Sequence, residues 1–131
     1  MTRKEALAKA IAATQAGTLT GGPDAGVVPR DMSRLIEAIF GDDDEIWSHL
    51  VGADDGSIDD AFALHQAVLP GWDYILTNAG EHGGESPGPM AAVGDRDALE
   101  RGDEPFKAST NILARAWLLS ILRALHSMEA I

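Results

Sequence analysis

The chain contains no cysteine. Disulfides, a thiolate nucleophile and Cys-based zinc or iron–sulfur centres are therefore excluded, and the composition suits a cytoplasmic setting. Long apolar runs are also missing. None exceeds the four residues of Ala116–Leu119, far short of the roughly 20 residues a membrane-spanning helix needs. Met1-Thr-Arg-Lys-Glu-Ala-Leu opens as a charged helix with no apolar stretch behind it, so no secretory signal is read. Aromatic residues are few, at 5%. Bases are scarce in the middle: residues 41–106 hold only Arg96 and Arg101 against sixteen acids, a net charge near −14. The flanks together are near +3, and the whole chain is −11. A field of that sign repels nucleic-acid phosphates, nucleotides and anionic lipids, and favours a basic protein surface or a cation.

What remains is ordinary globular material. The 131 residues suit one domain with a modest core, and 45% of them are hydrophobic. The dominant element is Ser109–Met128, the longest apolar segment free of Gly and Pro. Ser109 is placed to cap its first turn. At helical spacing Leu113, Trp117, Ile121, Ala124 and Met128 form one face, with Ala114 and Leu125 beside them. The opposite face carries Asn111, Arg115, His126 and Glu129, but also Leu118, Leu119 and Leu122. Three leucines on an outer face need a second layer or a partner. The N-terminal helix is mostly alanine and covers them poorly, which leads to the expectation of a homodimer through this C-terminal helix.

Ahead of it, Thr2-Arg-Lys-Glu5 matches a capping box and opens a helix to about Gln15, stopped by Gly17. Its narrow stripe suggests weak packing. Thr18–Pro29 reads as a linker. Gly21-Gly22 lacks the Gly-Lys-Ser/Thr of a phosphate loop. A second helix runs from Asp31 or Ser33 to Phe40 and ends at Gly41. The segment Ile46–Val51 fits a strand or a helical turn equally well. Ser57 with Asp60 forms a second capping box, opening a third helix with Phe62, Leu64, Val68 and Leu69 as apolar positions. Trp72–Thr77 alternates as a strand, with Met90–Gly94 and Phe106–Ala108 as further short strands. The expected organisation is an N-terminal helix and linker over residues 1–30, then one α+β domain over 31–131. That domain holds a small antiparallel sheet packed with helices, the long C-terminal helix as its core element, and a flexible loop over 78–105.

No constellation of residues supports catalysis. The pairs Ser48-His49 and His126-Ser127 are sequence neighbours, and no Gly-x-Ser-x-Gly elbow occurs. His65 reads as a histidine at the edge of the core. Glu81, His82 and Glu85 could hold zinc, but their glycine-rich loop is not preorganised and no His-x-x-x-His pair supports it. Asp42–Glu45 and Asp54–Asp60 could hold calcium, but the spacing of Asp54–Asp60 is not that of an EF-hand loop, and both read more simply as solvated capping residues. No catalytic residue, metal or cofactor is assigned.

Three segments together resemble the phage ABA sandwich family, small phage and prophage proteins of unknown function. These are Ser57-Ile-Asp-Asp-Ala-Phe-Ala-Leu, Leu69-Pro-Gly-Trp-Asp-Tyr and Ala114-Arg-Ala-Trp-Leu-Leu-Ser-Ile-Leu-Arg-Ala-Leu, within a likeness covering roughly residues 33–129. The acidic tract Asp42–Glu45 and the stretch from Asn78 to Pro105 depart from the family pattern. The resemblance implies an α/β/α, sandwich-like or helix-on-sheet fold and a phage-type accessory role, and brings no catalytic residues. Combined with the charge distribution, it points to a non-enzymatic protein that binds a basic protein partner. Its sharpest form is an acidic nucleic-acid mimic that inhibits a host defence protein, itself binding neither nucleic acid nor membrane. The expected contact residues are Asp42, Asp43, Asp44, Glu45, Asp54, Asp55, Leu118, Leu119 and Leu122. Two readings compete: a metal-binding protein or hydrolase using the His82 loop, and a self-associating structural module.

Overall fold

Side-chain oxygens start several of the helices, and glycines at positive φ stop two of them. The computed structural model describes residues 2–17, 19, 30–77, 89–110 and 112–129. Helix α1 (Arg3–Ala16) begins at Thr2, whose hydroxyl accepts from the Glu5 N–H while the Glu5 carboxylate accepts from Thr2. It ends at Gly17, in the left-handed conformation that glycine adopts without steric cost (φ 75°). Helix α2 (Arg30–Phe40) buries Leu35, Ile36 and Ile39 and ends at Gly41 (φ 71°). The segment that suited strand or helix equally is helix α3 (Asp44–Asp54). The Asp43 carboxylate accepts from the N–H groups of Glu45 and Ile46, and Asp44 and Glu45 sit in the electropositive first turn. This start signal decides what periodicity could not.

Helix α4 (Ile58–Val68) is capped by Ser57, which accepts from the Asp60 N–H. The Asp60 carboxylate does not close the expected capping box. It turns to His49 Nδ1 at 2.9 Å, joining α4 to α3. The helices come close there because residue 52 is glycine. A Cβ on Gly52 would lie 1.9 Å from Asp60 Oδ2 and 2.9 Å from Asp60 Cβ. Strand β1 (Asp73–Thr77), strand β2 (Met90–Gly94), the short helix α5 (Arg96–Glu100), strand β3 (Phe106–Ser109) and helix α6 (Leu113–Met128) complete the order. The stretch expected as one flexible loop thus divides. Residues 78–88 lie outside the described residues, whereas the part from Met90 onward supplies the central strand and α5. Ala91, Ala92 and Val93 are buried in β2, and small apolar side chains suit a strand paired on both edges.

The sheet is antiparallel in the order β1-β2-β3. The register places Tyr74, Leu76, Ala91, Val93, Phe106 and Ala108 on one face, and Tyr74 there lies 4.6 Å from Trp117 of α6 between ring centroids. Asp73, Ile75, Ala92, Gly94 and Lys107 occupy the other face. Helix α5 reaches that outer face at one end, with Leu99 so close to Gly94 that a Cβ would meet it at 2.8 Å. The fold is α+β, with α1, α3, α4 and α6 on the inner side and only the short α5 seen against the outer side among the described residues.

Helix α6 packs against α1, α3, α4, β2 and β3. This enclosure corrects the reading of Leu118, Leu119 and Leu122 as contact residues. Each is at most 1% exposed, within a single copy of the chain. The alanines of α1, far from covering the leucines poorly, let that helix approach α6 closely: Ala6, Leu7, Ala10 and Ala13 are themselves buried. Two further expectations change. Ser109 belongs to β3 and donates to the Pro89 carbonyl, so Ile112 stands at the N-cap of α6 without a side-chain cap. Met128 is 56% exposed, because the last turn of α6 runs past the core.

Candidate partner-binding site

The turn between α2 and α3 gathers charge. Gly41 lets the chain leave α2, its N–H bonding to the Glu37 carbonyl at 2.7 Å, and two residues later Asp43 caps α3. The last turn of α2 and the first turn of α3 are thereby brought together. Between them lies a depression of about 490 Å³ lined by Glu37, Gly41, Asp42, Asp43, Asp44 and Trp47. Its four carboxylate residues are exposed, while Trp47 is half-buried and packs against the core. Among the described residues the lining contains no base. Asp43 is committed by its two backbone bonds, leaving Glu37, Asp42 and Asp44 as the carboxylates open to a ligand. Carboxylates around an indole suit a guanidinium or ammonium group, through charge-assisted hydrogen bonds and the ring's negative face.

The expected contact residues therefore separate. Asp42, Asp43, Asp44 and Glu45 are together and exposed, the first three lining the depression. Asp55 is exposed at the far end of α3, about 16 Å away along a helix of 11 residues. Asp54 is not a surface residue. It is fully buried, with Oδ1 3.2 Å from Arg115 Nε, and its carbonyl accepts from Arg115 Nε and Nη2. This pair clamps the end of α3 to α6, and the apparent polar face of α6 around Arg115 is an internal joint. Two lining residues escaped the sequence reading, Glu37 and Trp47. The available signal was position: Glu37 lies one helical turn before Gly41, and Trp47 one turn after the capping Asp43.

The histidines do other work. His65 is fully buried. Its Nδ1 accepts from Trp117 Nε1–H (3.2 Å), which leaves the proton on Nε2 to be donated to the Trp72 carbonyl (3.0 Å). Burial pushes its pKa below the ordinary histidine range, against the opposing effects of the Trp72 carbonyl and Asp73. The expectation of a core histidine holds, and its role is to join α4, α6 and the entry to β1. His82, with Glu81 and Glu85, lies outside the described residues. Among the described residues no group of three or more His, Asp or Glu is arranged to hold a metal ion, and no helix is long and apolar enough to cross a membrane.

Comparison with protein families, curated proteins and solved structures returns no match to this chain. The resemblance to the phage ABA sandwich proteins therefore rests on the three quoted segments alone.

Proposed function

We propose that this chain acts by binding a protein with a basic surface, and that the depression between α2 and α3 is the contact site. The observation that carries the reading is the placement of Glu37, Asp42, Asp43 and Asp44 around Trp47 with no base among them. The surplus of carboxylates across residues 41–106 supports it. That surplus raises the local concentration of a cationic partner and speeds its encounter with the site. A basic groove built for phosphates is the natural complement. In this reading the chain is a phage- or prophage-type accessory protein that occupies the nucleic-acid site of a host defence protein. No catalytic step and no cofactor is involved.

The test uses a fluorescent arginine-rich peptide bound to a short DNA duplex. Adding the protein should release the duplex as the peptide transfers. The protein–peptide affinity should fall steeply between about 50 and 200 mM salt, as expected for exposed charges screened over a Debye length of about 10 Å at 0.1 M. Failure to displace DNA at any protein concentration would remove the mimicry reading. Displacement without salt dependence would remove the electrostatic one.

A further inference from the structure

Among the described residues, four of the five exposed large hydrophobic side chains lie on α4 or β1: Ile58 and Phe62 on α4, and Tyr74 and Ile75 on β1. Phe62 meets Tyr74 edge to face with ring centroids 6.0 Å apart. Strand β1 is an outer strand, hydrogen-bonded only to β2 among the described residues. An outer strand with apolar side chains is a ready template for another strand.

The composition of this edge selects the occupant. A strand of five residues centred on Ile75 can pair antiparallel with a second copy of itself about a two-fold axis. Ile75 then lies opposite Ile75 of the second copy, Tyr74 opposite its Leu76, and Asp73 opposite its Thr77. Each row matches in kind, and no like charges face one another. Asp73 is already neutralised by Arg96, whose Nη2 lies 3.0 Å from its carboxylate. The edge thus carries balanced charge in a chain of net −11, whose acidic surface elsewhere drives copies apart. A basic partner, by contrast, finds its only β1 carboxylate already engaged. On the outer face Ile75 forms one side of an apolar cavity of about 60 Å³, closed otherwise by Ala92, Gly94, Leu99 and Pro105 among others. A second Ile75 set against the first would shield its open side.

We infer that β1 is a self-pairing edge through which two copies of this chain join their sheets into one. The pairing is independent of the acidic depression, which each copy keeps. Sedimentation across a concentration series should show a monomer–dimer equilibrium. Ile75→Lys should weaken it at least tenfold, without lowering the melting temperature measured at a concentration where the parent is monomeric, since Ile75 is 59% exposed. Ile75→Cys, in a chain without other thiols, should oxidise to a cross-linked dimer, whereas Met128→Cys should not. A parent that stays monomeric at the highest attainable concentration overturns the inference. So does a dimer that Ile75→Lys leaves intact, since that association would use another surface.

Discussion

Replacing Trp117 with phenylalanine removes the N–H that serves His65 while keeping an aromatic ring in the site. Trp117 is 1% exposed and packs on Tyr74, His65 and Phe62. Its Nε1–H donates to His65 Nδ1. Losing it leaves a buried acceptor unsatisfied, which costs about 1–3 kcal/mol. Trp117→Ala, which also removes the ring, should cost about 3–5 kcal/mol. The substitution changes pH dependence as well. In the parent the folded state resists protonating His65, because burial penalises the charged ring and Nδ1 is occupied as the acceptor of the Trp117 N–H. The folded pKa is depressed, so the unfolded chain binds the proton more readily. This contribution is fully present above the unfolded value near 6.5, and is lost as the pH falls below it, by at most about 1.4 kcal/mol per pH unit. In Trp117→Phe the freed Nδ1 can accept a proton more easily, and the slope should flatten. Urea unfolding at pH 7.5 and pH 5.5 reads both effects. A variant within about 0.5 kcal/mol of the parent at pH 7.5, with the parent's slope, would refute the assigned tautomer and its structural role.

Three other substitutions test the joints of the fold. Gly52→Ala should cost about 1–3 kcal/mol by forcing α3 away from Asp60, and Asp60→Ala in the same chain should recover part of that loss in a thermal melt. Arg115→Met removes the guanidinium beside the buried Asp54 carboxylate, breaks the joint between α3 and α6, and should cost about 3–5 kcal/mol in denaturant unfolding. Leu122→Glu should unfold the chain rather than dissociate an oligomer, and circular dichroism alongside sedimentation separates the two.

Local signals in the sequence were reliable where one residue controls one terminus. Thr2 with Glu5, Gly17, Gly41 and Ser57 mark helix ends in the structure as they do in the sequence. The alternation of Trp72–Thr77 likewise gives β1. Misreadings arose where the outcome depends on what covers a face. Leu118, Leu119 and Leu122 resemble an exposed patch only if α1 is too small to help. In three dimensions small alanines permit closeness rather than prevent burial. Asp54 resembles its neighbour Asp55 in sequence, yet the turn after α3 sends one inward to Arg115 and the other to solvent. The Asp42–Asp44 part of the candidate site was legible because four adjacent acids, Asp42–Glu45, cannot all be buried. Glu37 and Trp47 were not, because their membership depends on the angle at which α2 meets α3.

The most direct measurement compares two sets of substitutions matched for acidic charge removed. One set alters the depression: Glu37→Gln, Asp42→Asn, Asp44→Asn and Trp47→Ala, sparing the capping Asp43. The other neutralises three exposed acids on and after α5: Asp97→Asn, Glu100→Gln and Glu104→Gln. Both remove three negative charges, so bulk electrostatics weakens binding to a labelled arginine-rich peptide similarly in each. A specific site predicts at least a tenfold larger rise in dissociation constant for the first set, about 1.4 kcal/mol or more. Equal losses in the two sets would contradict a binding site between α2 and α3.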